Sequence, residues 1–190
     1  MPTQPYIVTA FQEFQNALIH LKSEYARLQT GRASPILVED LKVEAYGAIQ
    51  PLKSMASVSV PDPRMLQIQP WDRGVLNAIE KAIQAANLGL NPVNDGRVIR
   101  VPMPPLTEER RKELVKTVHQ MEEQAKISIR NARGTAHSAF KTLEADKQIS
   151  EDDRRMAEKK LQENVDSSNR EVEELAKKKG LEMQEIRVGL

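Results

Sequence analysis

The sequence contains no cysteine, which removes disulfides, thiolate metal sites and cysteine nucleophiles from consideration and fits a reducing compartment. Aromatic residues make up only 4% of it, too few to build the stacking platforms that hold exposed bases of single-stranded nucleic acid. No apolar run approaches the roughly 18 residues needed to span a bilayer. The start, MPTQPYIVTAF, lacks the basic stretch and apolar core of a secretory signal. The expectation is a protein without membrane association, cytoplasmic or a mature organellar chain. Net charge is also nearly absent, with 28 basic against 27 acidic residues. Binding of a polyanion would therefore have to come from local segregation of charge.

What is present suits a soluble globular protein: 190 residues, 39% hydrophobic and 29% charged. Glycine and proline concentrate between Gly31 and Pro105, and the flanking segments are long, charged and nearly free of helix breakers. This divides the chain into a discontinuous helical domain, residues 1–30 and 105–190, and an inserted domain, residues 31–104. In the first segment Ile7, Phe11, Phe14, Leu18, Leu21, Tyr25 and Leu28 recur at helical spacing, with Gly31 expected as the left-handed cap. Thr107 reads as the N-cap of a second helix, with Glu108 and Glu109 at the positive end of its dipole. Its seam runs through Leu114, Val118, Met121, Ala125, Ser128 and Ala132, and a helix reaching Asp146 is a rod of about 60 Å. Ser150 and Asp153 resemble a capping box opening a third helix, whose seam is Leu161, Val165, Ser168, Val172 and Leu175.

Three apolar stripes of one kind cover one another best in an antiparallel three-helix bundle. In the insert, LKVEAYG, ASVSV, MLQIQPW and RVIRV have strand length and partial alternation. Asp72 is placed to cap a helix that turns Leu76, Ile79 and Ile83 inward and ends near Gly89, and Trp71 is assigned to the core. The fold class expected is α+β, a long bundle carrying a small β/α/β domain. The segments TGRASP and PMPPL are the two crossings between the domains, so a hinge is expected at Thr30, Gly31, Pro102, Pro104 and Pro105.

One stretch stands out chemically. On a helical wheel centred on Ala125, the apolar residues of the second bundle helix fall within about 40° of the core direction. Lys126, Arg130, Arg133, His137 and Lys141 gather at about 80° to 160°, beside the core. From Gln124 to Leu143 there is no acidic residue. Surface helices usually alternate charge signs to gain intrahelical pairs, and this one does not for about five turns. A rigid row of guanidinium groups suits phosphate, which it meets in bidentate fashion. With only Phe140 in the stretch, expected at the core edge, folded or double-stranded RNA read through its backbone fits better than exposed bases. The competing reading is a solvated face neutralised across the bundle by Glu158, Glu163, Asp166 and Glu171.

Catalytic readings find little support. His119 and His137 would stand about 27 Å apart along one helix and cannot share a metal. His20 reads as a solvated side chain, and no phosphate-binding glycine loop occurs. Asp62, Asp72 and Asp95, the acids a hydrolase in the insert would use, are better explained as turn and cap formers. A helical adaptor that binds another protein remains the alternative.

The ordered series TGRASP, PWDRG, EKAI, LGLNP, IRVPMPPLTEERRKELVK, AKISIRNAR and ISEDD, from about Phe11 to Met183, resembles the ribosome recycling factor family. The resemblance implies an L-shaped monomer that dissociates the post-termination ribosome together with elongation factor G. Subunits, messenger RNA and deacylated tRNA are then freed, and GTP is bound and hydrolysed by the partner. No cofactor, metal or enzymatic activity of this chain is implied. Contacts with large-subunit ribosomal RNA carry over to Arg110, Arg130, Arg133 and Arg32. The chain departs from the family pattern at Gly134 to His137, where many members have another arginine followed by Asp-Ala-Asn, and at Gln29, where a basic residue is common. Both departures remove charge and imply a weaker grip. The opening MPTQPYIVTAF and the end QEIRVGL match less well.

Overall fold

The structure, a computed structural model, describes residues 2–185. It divides into two compact units, one made of the chain up to Tyr25 together with Glu113–Glu182, the other of Ala26–Lys112.

The first unit is built from three helices: α1 (Gln4–Arg27), most of α3 (Glu108–Ala145) and α4 (Glu151–Glu185). Their starts and stops are encoded locally. Thr107 accepts a hydrogen bond from the Arg110 amide at 3.2 Å, satisfying one of the orphan donors of the first turn. At the other end of α3, Lys147 adopts a left-handed φ of 56° and the Gln148 amide reaches back to the Leu143 carbonyl at 2.8 Å, which closes the helix in a Schellman turn. Three residues later the capping box forms as expected: the Asp153 amide donates to the Ser150 hydroxyl at 3.1 Å, and the Ser150 amide to the Asp153 carboxylate at 3.1 Å. The Ser150 hydroxyl, which donates to the Asp153 carboxylate at 2.7 Å, and then the Ser150 amide hold the pKa of that carboxyl below its ordinary value.

The seams bury Ile7, Ala10, Phe14, Leu18, Leu21 and Tyr25 from α1, and Leu114, Val118, Ala125, Ile129, Ala132, Ala136, Phe140 and Leu143 from α3. From α4 they bury Ala157, Leu161, Val165, Ser168, Val172 and Ala176. Five expected seam positions are corrected: Leu28 lies beyond the end of α1 and, like Met121, is only half-buried, and three more give way to a neighbour. Phe11 is 44% exposed and Ala10 is buried in its place; Ser128 is exposed and Ile129 buried; Leu175 is only half-buried and Ala176 takes its place. At Ala176 the cause is drift: a strict four-and-three repeat averages 3.5 residues per turn, while a straight helix has 3.6, so an extra step of four is needed. At Ala10 and Ile129 only the order of the steps of three and four is exchanged, and the line returns to Phe14 and Ala132. Phe140 is fully buried rather than at the core edge.

In the second unit, β1 (Lys42–Ala45) and β2 (Ala48–Pro51) form a hairpin. Its two turn residues, Tyr46 and Gly47, both have positive φ, 54° and 77°, the conformation of a type I′ turn. The larger sheet is antiparallel throughout, in the order β3 (Ala56–Asp62), β4 (Met65–Pro70), β6 (Ile99–Pro102), β5 (Val93–Asn94). Alternation in β4 turns Leu66 and Ile68 inward, opposite Val101 and Ile99 of β6. The helix α2 (Leu76–Ala85) closes this face with Leu76, Ile79 and Ile83. Asp72 accepts from the Gly74 amide at 2.8 Å and caps a single 3-10 turn that leads into α2. That helix ends at Ala85, and Asn87 and Gly89 then turn the chain in left-handed conformations, φ 50° and 66°. Trp71, expected in this core, is 69% exposed. Its place on the alternation of β4 is outward, because Pro70 points in. Gly31 does not cap α1, which ends at Arg27; it has φ 77° further along the crossing segment.

Both crossing segments are clipped to one turn of the sheet. Ala33 donates to the Pro63 carbonyl at 2.7 Å, and Met103 donates to the adjacent Arg64 carbonyl at 2.8 Å. Thr30 is buried, whereas Pro102, Pro104 and Pro105 are exposed.

Candidate nucleic-acid interface

The basic stripe is carried by the part of α3 whose opposite side is most firmly held. Ile129, Ala132, Ala136 and Phe140 anchor it in the bundle, so the side chains beside them ride on a backbone with little freedom. The stripe lies on the flank of α3 that faces α4, and the structure divides its five members by what they meet there.

Lys126 is engaged. Its ammonium lies 3.0 Å from Glu122 and 3.1 Å from Glu173 of α4, and Glu122 first, with Glu173 adding, raises its pKa above the ordinary value. His137 stands 3.1 Å from Glu158 of α4, which also receives Arg154 at 2.7 Å. At Lys126 an ion pair thus crosses the bundle, and at His137 a contact with an α4 carboxylate does. The arginines escape both. Among the described residues Arg133 meets only the side-chain oxygen of Gln162, at 3.4 Å. Arg130 and Lys141 are exposed, and among the described residues no carboxylate pairs with them. A carboxylate-free guanidinium at the surface keeps its full capacity for an external phosphate.

Of the remaining site residues, Arg110 and Arg32 are exposed and belong to the second unit. Two cations of α4, Arg155 and Lys159, line a groove with Arg133 and His137. The sequence pattern singles out only the acids Glu158, Glu163, Asp166 and Glu171 of that helix, and not these two cations. Their spacing of four residues was the available signal.

The acids proposed for a hydrolase are occupied in turns. Asp62 accepts from the Arg64 amide, and Asp95 from the amides of Arg97 and Val98. Among the described residues no group of three or more histidine and acidic side chains could hold a metal ion. No described helix is long and apolar enough to cross a membrane.

Comparison with known proteins covers nearly the whole chain. The family described as Ribosome recycling factor matches residues 21–183. A ribosome-recycling factor of Chloroflexus aggregans is 52% identical over 166 residues, 87% of this chain and 90% of the relative. One from Nitratidesulfovibrio vulgaris is 45% identical over 186 residues, 98% of this chain and 100% of the relative. Among solved structures, a solution structure of a ribosome recycling factor superposes with a TM-score of 0.80 at 40% identity, covering 97% of this chain and 98% of the other. Another, at 43% identity and a TM-score of 0.68, covers 96% of this chain and 99% of the other. It describes the T. thermophilus ribosome recycling factor and the E. coli elongation factor G bound to the E. coli post-termination complex.

Proposed function

The chain belongs to the ribosome recycling factor family, and from that premise we propose how its parts divide the work. The free edge of α3 anchors the protein on phosphates of large-subunit ribosomal RNA, with Arg130 and Arg133 as the principal donors and Lys141 beside them. Lys126 and His137, already engaged with carboxylates, contribute less. Arg110, in the first turn of α3, and Arg32 add further contacts. Elongation factor G, with GTP bound to that partner, then drives the second unit about the crossings. The resulting displacement separates the subunits and releases messenger RNA and deacylated tRNA. The observation that carries the anchor is the exposure of Arg130 and Arg133 without a carboxylate on an acid-free stretch.

The hydrogen bonding supports a reading of where the pivots lie. Since Ala33 and Met103 are tied to neighbouring carbonyls of one turn, rotation falls outside those ties, at Thr30 and Gly31 on one crossing and around Pro104 and Pro105 on the other. Pro102 stiffens the end of β6. This chain performs no covalent chemistry in such a scheme and acts as a monomer, so its contribution is binding energy redirected by motion. It works where ribosomes do, in cytoplasm or an organelle. The helical-adaptor alternative is not favoured, because the family match extends over both units.

The test is cosedimentation with large ribosomal subunits over a salt series, followed by subunit splitting with and without elongation factor G and GTP. Arg130→Ala should weaken binding and flatten the dependence of log affinity on log salt by about one unit, the signature of one lost phosphate contact. An isotherm indistinguishable from wild type at every salt concentration would remove Arg130 from the anchor. Splitting that needs neither elongation factor G nor GTP would overturn the division of labour.

A further inference from the structure

Beyond the stripe on α3, the flank facing α4 opens into a groove of about 540 Å³. Arg133, Gly134 and His137 line it from α3, and Arg155, Lys159 and Gln162 from α4. Its charge is one-sided. Glu158 is the one acid among its lining residues, and it is taken up by His137 at 3.1 Å and by Arg154 at 2.7 Å. Arg155 is held by Glu151 one turn away yet stays 67% exposed. Lys159 is exposed and no carboxylate pairs with it among the described residues. Gly134 forms the open floor: a Cβ built there would meet no heavy atom within 4 Å. Glycine costs about 1 kcal/mol against alanine inside a helix, so the sequence carries a local penalty at an α3 position that lines this space between Arg133 and His137.

We propose that the groove seats a phosphate of the RNA backbone between the two helices. Arg133 grips it from α3, Lys159 and Arg155 from α4, and Gly134 leaves the clearance. Donors from two rigid elements fix the position of an anion in a way that one helix face cannot, because each alone allows it to slide along its own row. The lining contains a single large apolar residue, Leu161, and no aromatic, which suits a phosphate and offers little to a peptide side chain. The inference rests on the reading that this flank of α3 faces ribosomal RNA, and extends the contact onto α4.

Binding of Lys159→Ala and Gly134→Leu to large ribosomal subunits, measured over salt beside Arg130→Ala and with thermal unfolding of each variant, decides it. Lys159→Ala should lose affinity on the order of threefold to tenfold and lower the salt slope by about one. Gly134→Leu should raise the unfolding temperature, since leucine favours a helix interior, and still bind less tightly because its side chain fills the groove. Tighter folding with weaker binding is an outcome that a merely structural role for Gly134 would not produce. If both groove variants titrate as wild type while Arg130→Ala weakens, the groove is overturned and the α3 anchor stands. If the groove variants weaken and Arg130→Ala does not, the anchor fails and the groove stands. Wild-type behaviour of all three overturns both.

Discussion

The two flanks of α3 share one backbone and one core, and differ almost completely in chemistry. Toward α1 the helix presents Thr117, Gln120, Gln124 and Ser128 across a groove of about 360 Å³, with Ala17, His20, Leu21 and a single acid, Glu24, opposite. Toward α4 it presents Lys126, Arg130, Arg133, His137 and Lys141. The neutral flank packs its helices without any row of charge, so cations are not what this bundle needs in order to form. Among the described residues of the cationic flank, only Lys126 and His137 meet carboxylates of α4. Arg133 bonds the Gln162 side chain and Arg130 and Lys141 meet no carboxylate, and exposed ion pairs contribute at most about 1 kcal/mol even when they form.

The largest expected effect tests whether the flanks really stand on a common core. Phe140 is fully buried, and Phe140→Ala should cost about 3 to 5 kcal/mol in urea unfolding, from lost burial and the cavity left behind. A loss below about 1 kcal/mol would mean that the helices are held by something other than that seam.

A smaller effect concerns the tie between α1 and α3. The Tyr25 hydroxyl donates to the Val118 carbonyl at 3.0 Å, and Tyr25→Phe should cost about 0.5 to 1.5 kcal/mol. Burial first, and then the nearby Glu122 carboxylate, push the Tyr25 phenol from 10.0 up to about 12. The folded state therefore holds this proton more tightly than the unfolded chain. Its contribution is fully present below pH 10.0 and is lost as pH rises toward about 12. That part of the alkaline decline should vanish in Tyr25→Phe, and a pH–stability curve equally steep in both proteins would contradict the assignment.

The smallest effect is expected on the neutral flank itself. Gln120→Ala and Gln124→Ala should change stability by less than about 0.5 kcal/mol and leave affinity for large subunits and its salt slope at wild-type values. If these substitutions weakened binding as much as Arg130→Ala, the contrast between the flanks would carry no functional meaning.

Much of the scaffold was readable in one dimension because helix ends are short-range events. Thr107, Ser150 and Asp153 each act on a backbone group within three residues. The strands MLQIQPW and RVIRV declared themselves through alternation that the sheet then buried, whereas β2 and β5 did not. β2 buries none of its four residues fully and β5 has only two, so neither leaves a periodic trace. Trp71 misled because size argues for burial while its place in the pleat argues for exposure, and composition alone cannot rank the two.

The candidate site was legible only as a stripe. The sequence by itself determined that a stiff helix would carry Arg130, Arg133 and Lys141 on one edge with no acid near them in the chain, since angular position on a helix depends on residue count alone. Which cations stay available was decided by tertiary structure. The axial register of α4 against α3 brings Glu173 to Lys126 and Glu158 to His137, yet sets Gln162 beside Arg133 and leaves Lys159 facing the same groove. A helical step of 1.5 Å per residue means that a shift of α4 by one turn would pair these side chains differently. That register comes from how apolar residues of both helices interlock along their full length, which no local pattern of charge specifies.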